Sequence, residues 1–232
     1  MEKDIKLNID EMTQAGVNFG HKVSNLHPKM KPYVSGIKNN VNIIDLEKTA
    51  KEFEKALKFI SKLVSENKTL LFVGTKIQIR NLVKTTAEEC GFPYVTERWL
   101  GGTITNFETI TKRVEYFKDL EKKKATGELE KYTKKERLNF DKEMESLRVK
   151  FEGIKNMAKL PDAVFIFDMR KDDTCAREAK IKGIKIVGIA DTNINPDTAD
   201  YPIPANDDAI SSVKYILEKV KEVILEAKQI TK

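Results

Sequence analysis

The sequence predicts an α/β protein: an open, mostly parallel sheet flanked by helices, with a pair of helices inserted into it. Three observations carry this. First, Leu70-Leu71-Phe72-Val73, Ala163-Val164-Phe165-Ile166-Phe167 and Ile184-Lys185-Ile186-Val187-Gly188-Ile189 are short, mostly apolar and rich in β-branched residues. That is the pattern of strands covered on both faces. Second, helical periodicities alternate with these runs, which indicates βαβ units. Third, the alternation stops between Asn106 and Met157, where there is neither a strand run nor a proline. Together they describe a Rossmann/flavodoxin-like body interrupted by an antiparallel coiled-coil hairpin.

Taken in order, Val41-Asn42-Ile43-Ile44 is a weaker strand run. A helix over Glu47 to Ser65 follows, with Phe53, Leu57, Ile60 and Val64 on one stripe. After the Leu70 strand, a helix runs from Thr75 to Cys90 and stops at Gly91, a residue free to take the left-handed conformation of a C-cap. Tyr94-Val95 is a short further strand. In the interruption, Phe107, Ile110, Val114 and Phe117 make one seam. Phe140, Met144, Leu147, Phe151 and Ile154 make a second. Both have the a/d spacing of paired helices, and Gly127 lies in the polar turn between them. Asp172 to Lys182 is a helix ended by Gly183. The last helix covers about Asp207 to Lys228, with Asn206 as its N-cap and Asp207 and Asp208 at its positive end. The body is therefore expected to comprise residues 1–105 and 158–232, and the hairpin residues 106–157.

The 232 residues include 40% hydrophobic and 34% charged side chains, with 42 Lys and Arg against 36 Asp and Glu, a net charge of +6. That composition suits a folded body with local basic patches rather than a disordered basic tail. No apolar run is long enough to span a bilayer. Met1-Glu2-Lys3-Asp4 is charged and leads into no apolar segment, so no secretory signal is expected. Cys90 and Cys175 have neither metal nor redox spacing and read as two reduced thiols of a cytoplasmic protein.

Signals for an enzyme are sparse. Gly74-Thr75-Lys76 follows a strand, where a phosphate loop would sit, but the spacing GxxxxGK[ST] is absent. An α/β nucleotide-binding or phosphoryl-transfer enzyme built on this turn is the alternative reading. His21 and His27 lack the i, i+4 spacing of a helical metal site. Asp45, Asp168 and Asp191 stand at predicted C-terminal strand ends. Asp191, Asp207 and Asp208 could together form an acidic pocket for a structural Mg²⁺. No other cofactor is indicated.

Signals for polyanion binding are stronger. From Met12 to Ile44 there is no Asp or Glu, while Lys22, Lys29, Lys31, Lys38, both histidines, Phe19 and Tyr33 fall in that stretch. Its glycines and prolines suggest an irregular loop that could follow a phosphate backbone without carboxylate repulsion. Arg98-Trp99-Leu100-Gly101-Gly102-Thr103 is a second candidate. Between Lys112 and Lys150, 13 Lys and Arg stand against 9 Asp and Glu. By contrast, Ile186 to Val213 has no Lys or Arg and five aspartates. Charge is thus segregated along the chain, as expected of a molecule docked on RNA by one face.

Several motifs then resemble a known family. They are Ala15-Gly16-Val17-Asn18-Phe19-Gly20-His21, Pro28-Lys29-Met30-Lys31-Pro32-Tyr33, Ile43-Ile44-Asp45-Leu46-Glu47-Lys48-Thr49, Phe72-Val73-Gly74-Thr75-Lys76, Glu97-Arg98-Trp99-Leu100-Gly101-Gly102-Thr103, Asp191-Thr192-Asn193, and Tyr201-Pro202-Ile203-Pro204 with the residues after it. In this order, over most of the chain, they resemble the bacterial-type small-subunit ribosomal protein S-two family. Asn18 departs from it, standing where that family usually has a second histidine. The resemblance implies a non-enzymatic constituent of the small ribosomal subunit, bound in the cytoplasm to small-subunit rRNA and to neighbouring ribosomal proteins, including ribosomal protein S-one. It implies no membrane and no small-molecule substrate. The phosphate-facing candidates are then Lys22, Lys29, Lys31, Lys76 and Arg98. His21, Tyr33 and Trp99 are candidates for stacking or packing.

Overall fold

The computed structural model describes residues 7–230. The charged opening Met1-Glu2-Lys3-Asp4 lies outside them. The body is a five-stranded parallel sheet. Its strands are β4 (Leu70–Val73), β5 (Tyr94–Val95), β6 (Ala163–Ile166), β7 (Lys185–Ala190) and β8 (Tyr201–Pro204), in the order β5-β4-β6-β7-β8. Register is regular, with Phe72 opposite both Tyr94 and Phe165, and Val187 opposite both Phe165 and Tyr201. The chain reverses its direction of travel across the sheet between β4 and β6. In open α/β sheets the crevice at such a reversal is the usual ligand position.

Both faces of this sheet are covered, as its apolar runs require. Leu70, Phe72, Ala163, Phe165 and Ile203 share one core with α2 (Leu46–Ser65), α3 (Arg80–Cys90) and α7 (Ile210–Ile230). Leu71, Val73, Val164 and Ile166 point to the other face. There they meet α4 (Phe107–Ala125), α5 (Lys134–Phe151) and α6 (Asp173–Ile181). Asp45 caps α2 by accepting from the Glu47 and Lys48 amides, and Gly91 ends α3 at φ +63°. The helix after β4 begins later than periodicity suggests, at Arg80 rather than Thr75.

Helices α4 and α5 pack side by side through Val114, Phe117 and Leu120 against Met144, Leu147 and Phe151; Leu120 was not among the predicted seam positions, and Phe107, Ile110 and Phe140, which were, are only half-buried. Lys124 pairs with Asp141 at 2.7 Å, and Glu121 with Lys155. A Thr133–Glu136 capping box starts α5. The apolar cluster between the two helices is continuous with the second face of the sheet.

The N-terminal region differs from expectation. Instead of an irregular loop there is α1 (Ile9–Gln14) and a three-stranded antiparallel sheet of β1 (Phe19–Lys22), β2 (Val34–Lys38) and β3 (Val41–Ile44), in the order β1-β3-β2. Val41 to Ile44 is thus a strand, but not of the parallel sheet. Asn39 and Asn40, at φ +50° and +63°, form the two-residue turn between β2 and β3. Asparagine tolerates that left-handed backbone, and a turn of this hand matches the twist of the paired strands.

Candidate nucleic-acid interface

The C-terminal ends of the parallel strands carry a compact charged cluster. The turn after β4 supplies Thr75 and Lys76, the loop after β6 Asp168 and Asp172, the end of β7 Asp191, and the approach to α7 Asp207 and Asp208. The Lys76 Nζ lies 2.5 Å from Asp208 Oδ1, 3.1 Å from Asp207 Oδ1 and 3.5 Å from Asp168 Oδ2. It also donates to the Asp207 carbonyl oxygen at 3.0 Å. His21, reaching in from β1, sets Nδ1 3.2 Å from Asp191 Oδ2 and Nε2 3.4 Å from Asp208 Oδ2. Thr75 donates its amide and its hydroxyl to Asp172.

This site holds more negative than positive charge, and its protonation equilibria follow from that. Burial alone would lower the pKa of Lys76, but Asp208, Asp207 and Asp168 outweigh it and raise it. Asp207 is pushed up to about 7, first by burial and then by Asp191 and Asp168, despite Lys76. Lys76 rises because three carboxylates surround one ammonium, and Asp207 rises chiefly because it is buried. The hydrogen bond to Asp191 raises His21, and Lys76 holds Asp208 low. Burial lifts Asp172 to about 6.

Asp172 and Asp207 therefore keep protons in the fold that the unfolded chain has already released. Stability should fall as pH rises from about 4 through about 6 to 7, at up to about 1.4 kcal/mol per pH unit for each group within its window. Raised His21 acts in the same sense, since its contribution is lost as pH climbs through its folded pKa. In Asp172→Asn, thermal melts at pH 4 and pH 6 should lie closer together than in the wild type. An unchanged gap would mean that Asp172 is not protonated in that range.

The predicted contact residues separate into two groups. His21, Lys76 and Trp99 direct their polar groups into the chain. Lys29 pairs with Asp197 at 2.5 Å while staying exposed. Tyr33 is half-buried. Lys22, Lys31 and Arg98 are exposed and have no ion pair among the described residues, and the same holds for Lys38. The acid-rich segment changes character on folding. Asp191 and Asp208 meet His21, Asp207 and Asp208 meet Lys76, Asp197 meets Lys29, and Asp200 meets Lys185. Charge segregated along the sequence is thus largely neutralised in space. The side chains whose ligand atoms fall within 4.8 Å of one another are His21, Asp191 and Asp207, so His21 takes the place that the sequence reading assigned to Asp208 in a metal set. The Lys76 ammonium stands beside them.

Sequence reasoning missed Glu178. This buried residue of α6 accepts from Trp99 Nε1 at 3.0 Å, from the amides of Gly102, Ile104 and Thr105 at 2.8–3.1 Å, and from the Thr105 hydroxyl at 3.1 Å. It organises the loop after β5. The one signal available was a glutamate on the helix face otherwise formed by Cys175, Ala176 and Ala179.

Two regions thus stand out, the N-terminal sheet with its exposed lysines and the Glu178-anchored loop. A family model described as Ribosomal protein S2 matches residues 12–227, spanning both regions and the helices α4 and α5 that follow them, and the chain belongs to that family.

Proposed function

We propose that this chain is a structural constituent of the small ribosomal subunit that docks on small-subunit rRNA and on neighbouring ribosomal proteins, ribosomal protein S-one among them, in the cytoplasm, and makes or breaks no bonds itself. The observation that carries the reading is the acid-free segment from Met12 to Ile44. Folded as a sheet against the body, it leaves Lys22, Lys31 and Lys38 exposed and without ion pairs among the described residues. Unspent ammonium groups on a segment that itself carries no carboxylate can neutralise phosphates and release counterions. Residues 106–157 serve in this reading as an inserted coiled-coil arm, a second module that reaches RNA or a protein neighbour.

Lys22→Glu combined with Lys31→Glu should weaken rebinding to small subunits stripped of this protein. The slope of log K against log salt should become shallower by roughly 1.4–1.8, at about 0.7–0.9 per phosphate contact. The melting temperature should stay close to wild type, because neither side chain holds an ion pair among the described residues. Wild-type salt tolerance in this variant would remove the N-terminal sheet from the RNA contact.

The alternative enzyme reading relied on Gly74-Thr75-Lys76. Lys76 is engaged by three aspartates and Thr75 by Asp172, so the turn offers a phosphate neither a free ammonium nor a free hydroxyl. Titration with Mg-ATP should give no saturable heat.

A further inference from the structure

A cleft of about 400 Å³ separates the body from α5 and is walled by α3, by the loop after β5 and by the second half of α5. Its acids are already engaged. Glu97 binds Arg80 at 2.5 Å, while Arg80 also donates to the Glu97 and Thr75 carbonyl oxygens. Glu145 and Glu152 share Arg148 at 3.5 and 3.8 Å. Glu88 accepts the Tyr94 hydroxyl at 2.8 Å and stands 4.0 Å from Lys84. Two cations remain: Arg98 on the body wall and Lys150 on the helical wall. Both are exposed, and neither has an ion pair among the described residues.

The loop that carries Arg98 is held from behind. Its neighbour Trp99 and the amides of Gly102, Ile104 and Thr105 converge on the buried Glu178 carboxylate. The guanidinium is thus presented on an ordered backbone. Its fork fits two oxygens of one phosphate, and the Lys150 ammonium adds a point charge from the opposite wall.

We propose that this cleft seats a backbone phosphate of the small-subunit rRNA between Arg98 and Lys150. The proposal rests on the rRNA-docking reading above and adds a second contact, remote in sequence from the N-terminal sheet.

The test is Arg98→Glu with Lys150→Glu, rebound to small subunits stripped of this protein. A wild-type melting curve should show that the fold is kept. The salt slope should become shallower by roughly 1.4–1.8, the loss of about two phosphate contacts. In a second measurement, Lys150→Cys carries a tethered iron chelate. Cys90 and Cys175 are buried, so the new thiol takes the label. Hydroxyl radicals from it should cut the rRNA backbone. A wild-type salt slope without rRNA cuts would overturn the cleft proposal and leave the docking reading standing. Cuts confined to a neighbouring protein would overturn it in favour of a protein contact. If the wild-type chain itself fails to rebind stripped subunits, the docking reading falls and takes the cleft with it.

Discussion

Gly153→Ala is expected to destabilise the protein by about 3 kcal/mol or more, at the upper end of what overpacking costs. A β-carbon at position 153 would lie 2.1 Å from the Tyr94 carbonyl oxygen and 2.5 and 2.7 Å from two carbons of its ring. The nearest obstacle is backbone, so a rotamer change cannot relieve the clash. Either β5 or the turn after α5 must move. β5 is a two-residue strand at the sheet edge, but Tyr94 and Val95 are buried and pair with β4, so it moves only by losing that packing. At about 2–4 °C per kcal/mol for a chain of this size, the melting temperature should fall by roughly 6–12 °C. The same displacement would tilt α5 relative to the body and widen the cleft between Arg98 and Lys150. A melting curve within a degree or two of wild type would show that the close contact at Tyr94 is not kept in solution.

Glu178→Ala should cost a comparable amount, about 3–5 kcal/mol, for a different reason. Burial by itself would raise the Glu178 pKa. The hydrogen bonds from Thr105, Gly102, Trp99 and Ile104 outweigh burial and hold the carboxyl below its usual range. Removing it strands three backbone amides and the indole N–H in a partly buried loop. Since the folded pKa is depressed, this stabilisation is present above the unfolded value and is lost as pH falls through the folded one. Glu178→Gln keeps the shape but turns one acceptor into a donor facing donors, so it should fall between alanine and wild type. Trp99 is the only tryptophan, and its emission should shift to longer wavelength as the loop opens. If Glu178→Ala melts like wild type with unshifted emission, the carboxylate does not organise this loop.

The strands of the large sheet were legible because both their faces are buried, which forces runs such as Leu70 to Val73 to be apolar throughout. The helix over Leu46–Ser65 was legible because one stripe of it is buried, and Gly91 and Gly127 mark turns that need a left-handed backbone. Of the N-terminal sheet, only the strand Val41 to Ile44 was legible. Ser35, Gly36, Ile37 and Lys38 are all exposed, so β2 shows no alternation between apolar and polar residues, and only Asn39-Asn40 hinted at a hairpin. Of the candidate contact residues, Lys22, Lys31 and Arg98 are exposed, while His21, Lys76 and Trp99 are turned to partners within the chain.

What this sequence determined by itself was local: where strands, helices and turns lie, and which stretches are free of acids or of bases. Those follow from side-chain periodicity and backbone preference over a few residues. Which charges are spent was decided only by tertiary structure. Lys29 finds Asp197 across 168 residues, Lys76 finds Asp207 across 131, and Trp99 finds Glu178 across 79. Coulombic and hydrogen-bond energies depend on distance through space, and the fold lays the acid-rich segment beside His21, Lys29 and Lys76. Among the described residues, the cations on which the proposed rRNA docking relies are those that this folding leaves without an ion pair.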